Sequence, residues 1–113
     1  MELEYVCVWK AGIDPPGRWP GRIHLIKDTD PYEFEATARY SSFHILCGKH
    51  KYGNYICIPN WNIGTELSGL SDTFWNFERL TTYYPKLSKA DAVSIVSALE
   101  RLNEYILSRK EAV

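Results

Sequence analysis

The feature that most limits what this chain can fold into is a change of hydrophobic period partway along it. Up to about residue 58 the large apolar residues recur at every second position, whereas beyond residue 72 they recur every third or fourth. The first spacing belongs to strands with one buried face, and the second to helices with one buried stripe. Strands first and helices last leave no alternating β-α-β units, so a doubly wound parallel sheet is excluded. The expected class is α+β: an antiparallel sheet of about five strands followed by two C-terminal helices packed on one of its faces. At 113 residues this is a single domain over 1–113, with a β-sheet region over 1–64 and a helical region over 71–109.

Residues 3–9 carry a large residue at each odd position and form the first strand. Residues 12–21 hold three prolines and three glycines, and read as a long loop that carries Trp19. Residues 22–27 resume a strand, and Asp28 to Pro31 supply turn chemistry. Over residues 32–39, Tyr32, Phe34, Ala36 and Ala38 alternate with Glu33, Glu35, Thr37 and Arg39, which predicts one buried face and one acidic, wet face. Residues 43–47 and 54–58 make a second hairpin across the basic segment Gly48 to Gly53, and Pro59 ends its second strand. Phe74, Phe77, Leu80 and Tyr84 predict a short helix over 72–83, capped by Ser71 or Asp72 and closed by Pro85. Ser88 with Asp91 three residues on predicts the start of a long helix, whose buried stripe is Ala92, Ile95, Val96, Leu99, Leu102 and Ile106.

Thirteen basic against fourteen acidic residues leave a formal charge of −1, which removes the electrostatic case for a dedicated duplex-DNA or RNA binder. No window is apolar enough to cross a bilayer, and Glu2 and Glu4 stand where a signal peptide would be basic, so a cytoplasmic protein is expected. Cys7, Cys47 and Cys57 cannot all pair with one another, and they read as reduced, small core residues.

Five constellations bear on chemistry or binding. His44, Cys47, His50 and Cys57 are zinc-ligand types, but three residues apart on one strand His44 and Cys47 point to opposite faces, so no metal is expected. A thiolate at Cys47 or Cys57 with His24, His44 or His50 as base would need an electropositive, partly exposed site, and all three cysteines lie within predicted strands. Glu33 and Glu35 share a strand face, which an ordinary solvated acidic strand explains. Lys49, His50, Lys51 and Tyr52 combine charge with π-surface, the mixture that binds single-stranded nucleic acid, although a solvated hairpin tip has the same composition. Trp61 and Trp75 lie among amides in aromatic-rich segments of the kind that anchor protein partners, and Trp75 falls off its helix's buried stripe.

The segments Ser41 to His44, Gly53 to Trp61 and Asp72 to Leu80 resemble those of a small-protein family carried by phages and conjugative elements of Firmicutes. The resemblance spans residues 41–80, and it is most distinctive in Gly53-Asn54-Tyr55 followed by Cys57-Ile58-Pro59-Asn60-Trp61, and in Phe74-Trp75-Asn76 followed by Glu78-Arg79-Leu80. Proteins similar to that family include inhibitors of type II CRISPR effector nucleases, which implies an anti-defence role. The expectation is therefore a non-enzymatic inhibitor without cofactor, which binds the nuclease or its guide-RNA complex through Trp19, Lys49, His50, Lys51, Tyr52, Trp61 and Trp75. The alternatives are a single-stranded nucleic-acid-binding accessory protein of a mobile element and a cysteine-dependent enzyme.

Overall fold

Leu3, Tyr5 and Cys7 turn inward while Glu2, Glu4, Val6 and Val8 turn outward, and this alternation makes β1 (Glu2–Trp9) in the computed structural model, which describes residues 2–9, 17–39, 41–50, 53–61, 63–67 and 77–111. β1 is followed by β2 (Gly17–Lys27), β3 (Tyr32–Ala38), β4 (Ser41–His50), β5 (Gly53–Ile58) and β6 (Ile63–Leu67). Among the described residues these six strands form one antiparallel sheet in sequence order, so each pairs with its neighbour in the chain. A cis Asp30–Pro31 peptide lies in the β2–β3 turn. A 3-10 turn at Pro59–Trp61 joins β5 to β6, and the helices α1 (Phe77–Tyr83) and α2 (Lys89–Glu111) complete the fold. The α+β class and the order of elements follow the sequence expectation.

Three expectations need adjustment. The segment read as a loop over 12–21 is strand from Gly17 onward, and it pairs with β1 from Gly17 opposite Trp9 to Gly21 opposite Tyr5. Proline is tolerated there because the β2–β3 ladder ends at Gly21 opposite Ala38, so Pro20 is paired on its β1 side alone, as at a sheet edge. Secondly, β6 was hidden by its shortness and by Gly64. Thirdly, α1 is helical over residues 77–83 of the expected 72–83, and residues 72–76 lie outside the described residues.

The core lies between one sheet face and the helices. Ile23, Phe34, Phe43, Ile45 and Ile58 from the strands meet Leu80 of α1 and Ile95, Leu99 and Leu102 of α2. The start of α2 is fixed twice. The Asp91 backbone N–H donates to Ser88 Oγ at 3.1 Å, and the Ser88 hydroxyl returns a bond to Asp91 Oδ2 at 2.8 Å. The hydroxyl of Ser41, at the head of β4, donates to Asp91 Oδ1 and so ties the helix N-terminus to the sheet. Towards its other end, Arg101 Nε donates to the Glu4 carbonyl at 3.0 Å, which occupies a backbone acceptor on the outer edge of β1.

Candidate interaction surface

Nucleophilic chemistry is weakly provided for by the thiols. Cys7 and Cys47 are buried in the sheet's core face, and Cys57 is half-buried on the other side. Burial pushes the Cys47 thiol from an ordinary 9.0 up to about 11, and the nearby charge of Asp30 acts in the same direction. Burial also raises Cys7, while Ser94, Tyr5 and Ser97 hydroxyls and the Arg39 charge pull it partly back. The Cys7 thiol donates to Ser94 Oγ at 3.7 Å across the β1–α2 interface. The phenol of Tyr5, buried beside Cys7, is likewise raised by desolvation.

These shifts have a consequence at high pH. A folded-state pKa above the unfolded value means that the unfolded chain releases its proton first, so stability is intact below about pH 9 and falls as pH rises toward 11. Cys47 alone should remove about 2–3 kcal/mol across that window. Urea melts at pH 8 and pH 10.5 should show this loss, and Cys47→Ala should diminish it. Under native conditions at pH 8, iodoacetamide should modify Cys57 first and leave Cys7 and Cys47 intact; rapid native modification of Cys47 would contradict the burial.

The zinc-type series is separated as strand geometry requires. Cys47 points into the core, His44 and Cys57 lie on the opposite face, and no group of three candidate metal ligands occurs among the described residues.

That opposite face of the sheet is where the charged residues collect, and no described element packs over it. His44 lies between two carboxylates, with Nδ1 3.4 Å from Glu33 Oε1 and Nε2 3.3 Å from Glu35 Oε2. Arg22 pairs with Glu2 at 3.7 Å. Val6, Val8 and Ile26 share this wet side at 47%, 44% and 46% exposure. A shallow depression of about 470 Å³ opens beside Val6 and Pro20, bordered by Glu4, Arg22, Thr37 and Arg39. Alternation predicts the acidic β3 face and places Arg22, His24 and Lys27 in a strand, whereas Arg18 falls in the segment read as loop; the common face of these basic residues is not part of the sequence expectation. The signal that could have found them was the spacing of Arg18, Arg22 and His24, all even-numbered and so on one strand face.

The expected contact residues fare differently. Trp19 is a correction: it lies in β2, is only 4% exposed, and has the Arg39 guanidinium 4.5 Å from its ring centroid, so it is a core residue and not a surface anchor. The strand alternation that buries Cys7 also turns Trp19, its β2 partner, inward. Trp61 is half-buried, with its ring tilted against Phe43 at a centroid distance of 5.4 Å. Beside it, Asn60 Oδ1 accepts the His44 backbone N–H at 2.9 Å. Lys49 and His50 end β4, paired with Asn54 and Gly53, at the far end of the β4–β5 hairpin from Trp61. Lys51, Tyr52 and Trp75 lie outside the described residues.

No described helix is long and apolar enough to cross a membrane. The profile of a family described as a family of unknown function (DUF6618) matches residues 3–107. No curated protein and no solved structure matches the chain.

Proposed function

We propose that this chain, which belongs to the DUF6618 family of unknown function, acts by binding and not by catalysis, as an anti-defence inhibitor of a type II CRISPR effector nuclease or its guide-RNA complex in the host cytoplasm. The observation that carries the binding half of this reading is the division of the sheet. Its core face seals Cys7 and Cys47 with raised pKa, while its other face presents charge on a hydrogen-bonded strand backbone, and Lys49 and His50 are paired in the β4–β5 ladder. Side chains held on paired strands limit the ordering cost of association. The choice of target comes from the resemblance over residues 41–80 and its mobile-element setting.

The contact region this reading favours is the β4–β5 hairpin end, with Lys49 and His50 in the strand and Lys51 and Tyr52 following them. The test is cleavage of target DNA by a purified type II effector with increasing amounts of this protein. Inhibition saturating near equimolar protein is expected, and Lys49→Glu with Lys51→Glu should weaken it. Undiminished cleavage at large excess removes the nuclease as target. Salt-sensitive binding of a single-stranded oligonucleotide that weakens on replacing Lys49 and Lys51, without inhibition, would favour the accessory-protein alternative.

A further inference from the structure

The uncovered face of the sheet is striped by charge. β1 presents Glu2 and Glu4, β2 presents Arg22, His24 and Lys27, β3 presents Glu33 and Glu35, and β4 presents His44. Three neighbouring strands thus run acidic, basic, acidic, and β4 adds the imidazole of His44 between Ser42 and Leu46. One cross-strand row contains the whole alternation in direct register: Glu2 opposite His24, His24 opposite Glu35, and Glu35 opposite His44. The β2 stripe depends on an irregularity. The register shift between Leu25 and Lys27 sets Lys27 opposite Glu33; in an unbroken ladder Ile26 would take that place and Lys27 would turn toward the core.

Two adjacent stripes of opposite charge, here β2 and β3, become their own complement when they are turned over. A twofold axis parallel to the strands, between β2 and β3, brings β1 over the partner's β4 and β2 over the partner's β3. The basic stripe of β2 then meets the acidic stripe of β3 in both halves of the contact, and Glu2 meets the imidazole of His44. Such self-complementarity is what an isologous contact requires. We propose that the uncovered sheet face docks a second copy of this chain, face to face about such an axis.

Cross-strand pairing within one copy explains part of the striping, since opposite charges on neighbouring strands each stabilise a sheet by about 0.2–1 kcal/mol. It does not explain why Ile26, beside Lys27, stays 46% exposed on the same side. Burying it under the partner's β3 does, whereas Val6 and Val8 lie past the row where β4 begins and outside the contact. The size of the face sets the strength. Four strands about 4.8 Å apart and roughly 20 Å long present about 400 Å² of projected area per copy, against about 800 Å² in a standard interface. The dimer is therefore weak and sensitive to salt. It uses a surface other than the hairpin end of Lys49 and His50, and stands whether or not a nuclease is the target.

Sedimentation velocity over a concentration series at low and high salt tests this. Reversible dimerisation at low salt, weakened as salt is raised, is expected for the parent chain. Lys27→Glu and Glu33→Lys should each weaken it at least about tenfold, because each sets like charges opposite one another across the axis. An equimolar mixture of the two variants should recover a heterodimer, because each altered residue then faces its opposite charge in both contacts. A monomeric parent at every concentration in low salt, unchanged dimerisation of the variants, or a mixture no tighter than its components would each overturn the proposal. If circular dichroism shows that either reversal unfolds the chain, Lys27→Ala and Glu33→Ala replace the pair; weakened dimerisation supports the proposal and unchanged dimerisation overturns it.

Discussion

Gly21→Ala is expected to destabilise the fold by about 2–3 kcal/mol through overpacking, and to lower the melting temperature by on the order of 10 °C for a domain of this size. The cause is a cross-strand contact. Gly21 lies opposite Tyr5, whose ring crosses the space a side chain would occupy, and a Cβ built there would meet the ring carbons at 2.4, 2.6 and 2.8 Å. No relaxed structure holds carbons so close. The ring is buried at 5% exposure with its hydroxyl enclosed, so it has little room to withdraw. The prediction carries its own control. Tyr5→Leu costs stability alone by removing ring contacts, but in the double variant with Gly21→Ala the added methyl fills space vacated by the ring. The two changes together should cost less than their sum, and Tyr5→Phe, which keeps the ring, should give no such relief. Additive losses in the leucine pair would show that the glycine is needed for some reason other than this ring.

The same contact explains what the sequence concealed. Residues 17–21 look like loop because glycine and proline are poor strand formers, and a local reading has only composition to use. Gly21 is there for Tyr5, sixteen residues away by the register that pairs them, and Pro20 is tolerated because β3 has already ended beside it. Both reasons are non-local. Once this segment is strand, Trp19 becomes core, and Arg18 joins the face of β2 that carries Arg22. Local signals were sufficient elsewhere. The alternation from Tyr32 to Ala38 set both faces of β3, the Ser88 and Asp91 spacing marked the start of α2, and the three-residue separation of His44 and Cys47 placed them on opposite faces of the sheet. The placement of His44 between Glu33 and Glu35 needed the β3–β4 register, and the bond from Ser41 to Asp91 joins segments fifty residues apart. Neither could be read from periodicity.

The segment Pro59-Asn60-Trp61, among the most distinctive in the chain, offers the clearest separation of structural from recognition roles. Here the second large effect is expected, with Phe43→Ala costing about 3–5 kcal/mol, as large-to-small changes at fully buried aromatics do. Phe43 has 0% exposure and lies under the Trp61 ring. Against a total of about 5–15 kcal/mol for a small domain, that loss brings the variant close to unfolding. Trp61→Ala removes the upper member of the pair but from a half-buried position, so a smaller loss, about 2 kcal/mol, is expected. Asn60→Ala frees the His44 N–H just past the end of the β4–β5 ladder, at about 1 kcal/mol. The ordering Phe43, then Trp61, then Asn60 should appear in the urea midpoints with unchanged slopes. A Phe43→Ala loss below about 1 kcal/mol would show that this corner of the core is not packed as described. Trp61→Phe then divides the two roles: it keeps an aromatic against Phe43 and should retain most of the stability. If that variant is stable but inhibits the nuclease poorly, the indole contributes a contact of its own; if both stability and inhibition survive, the motif serves to close the sheet over Phe43.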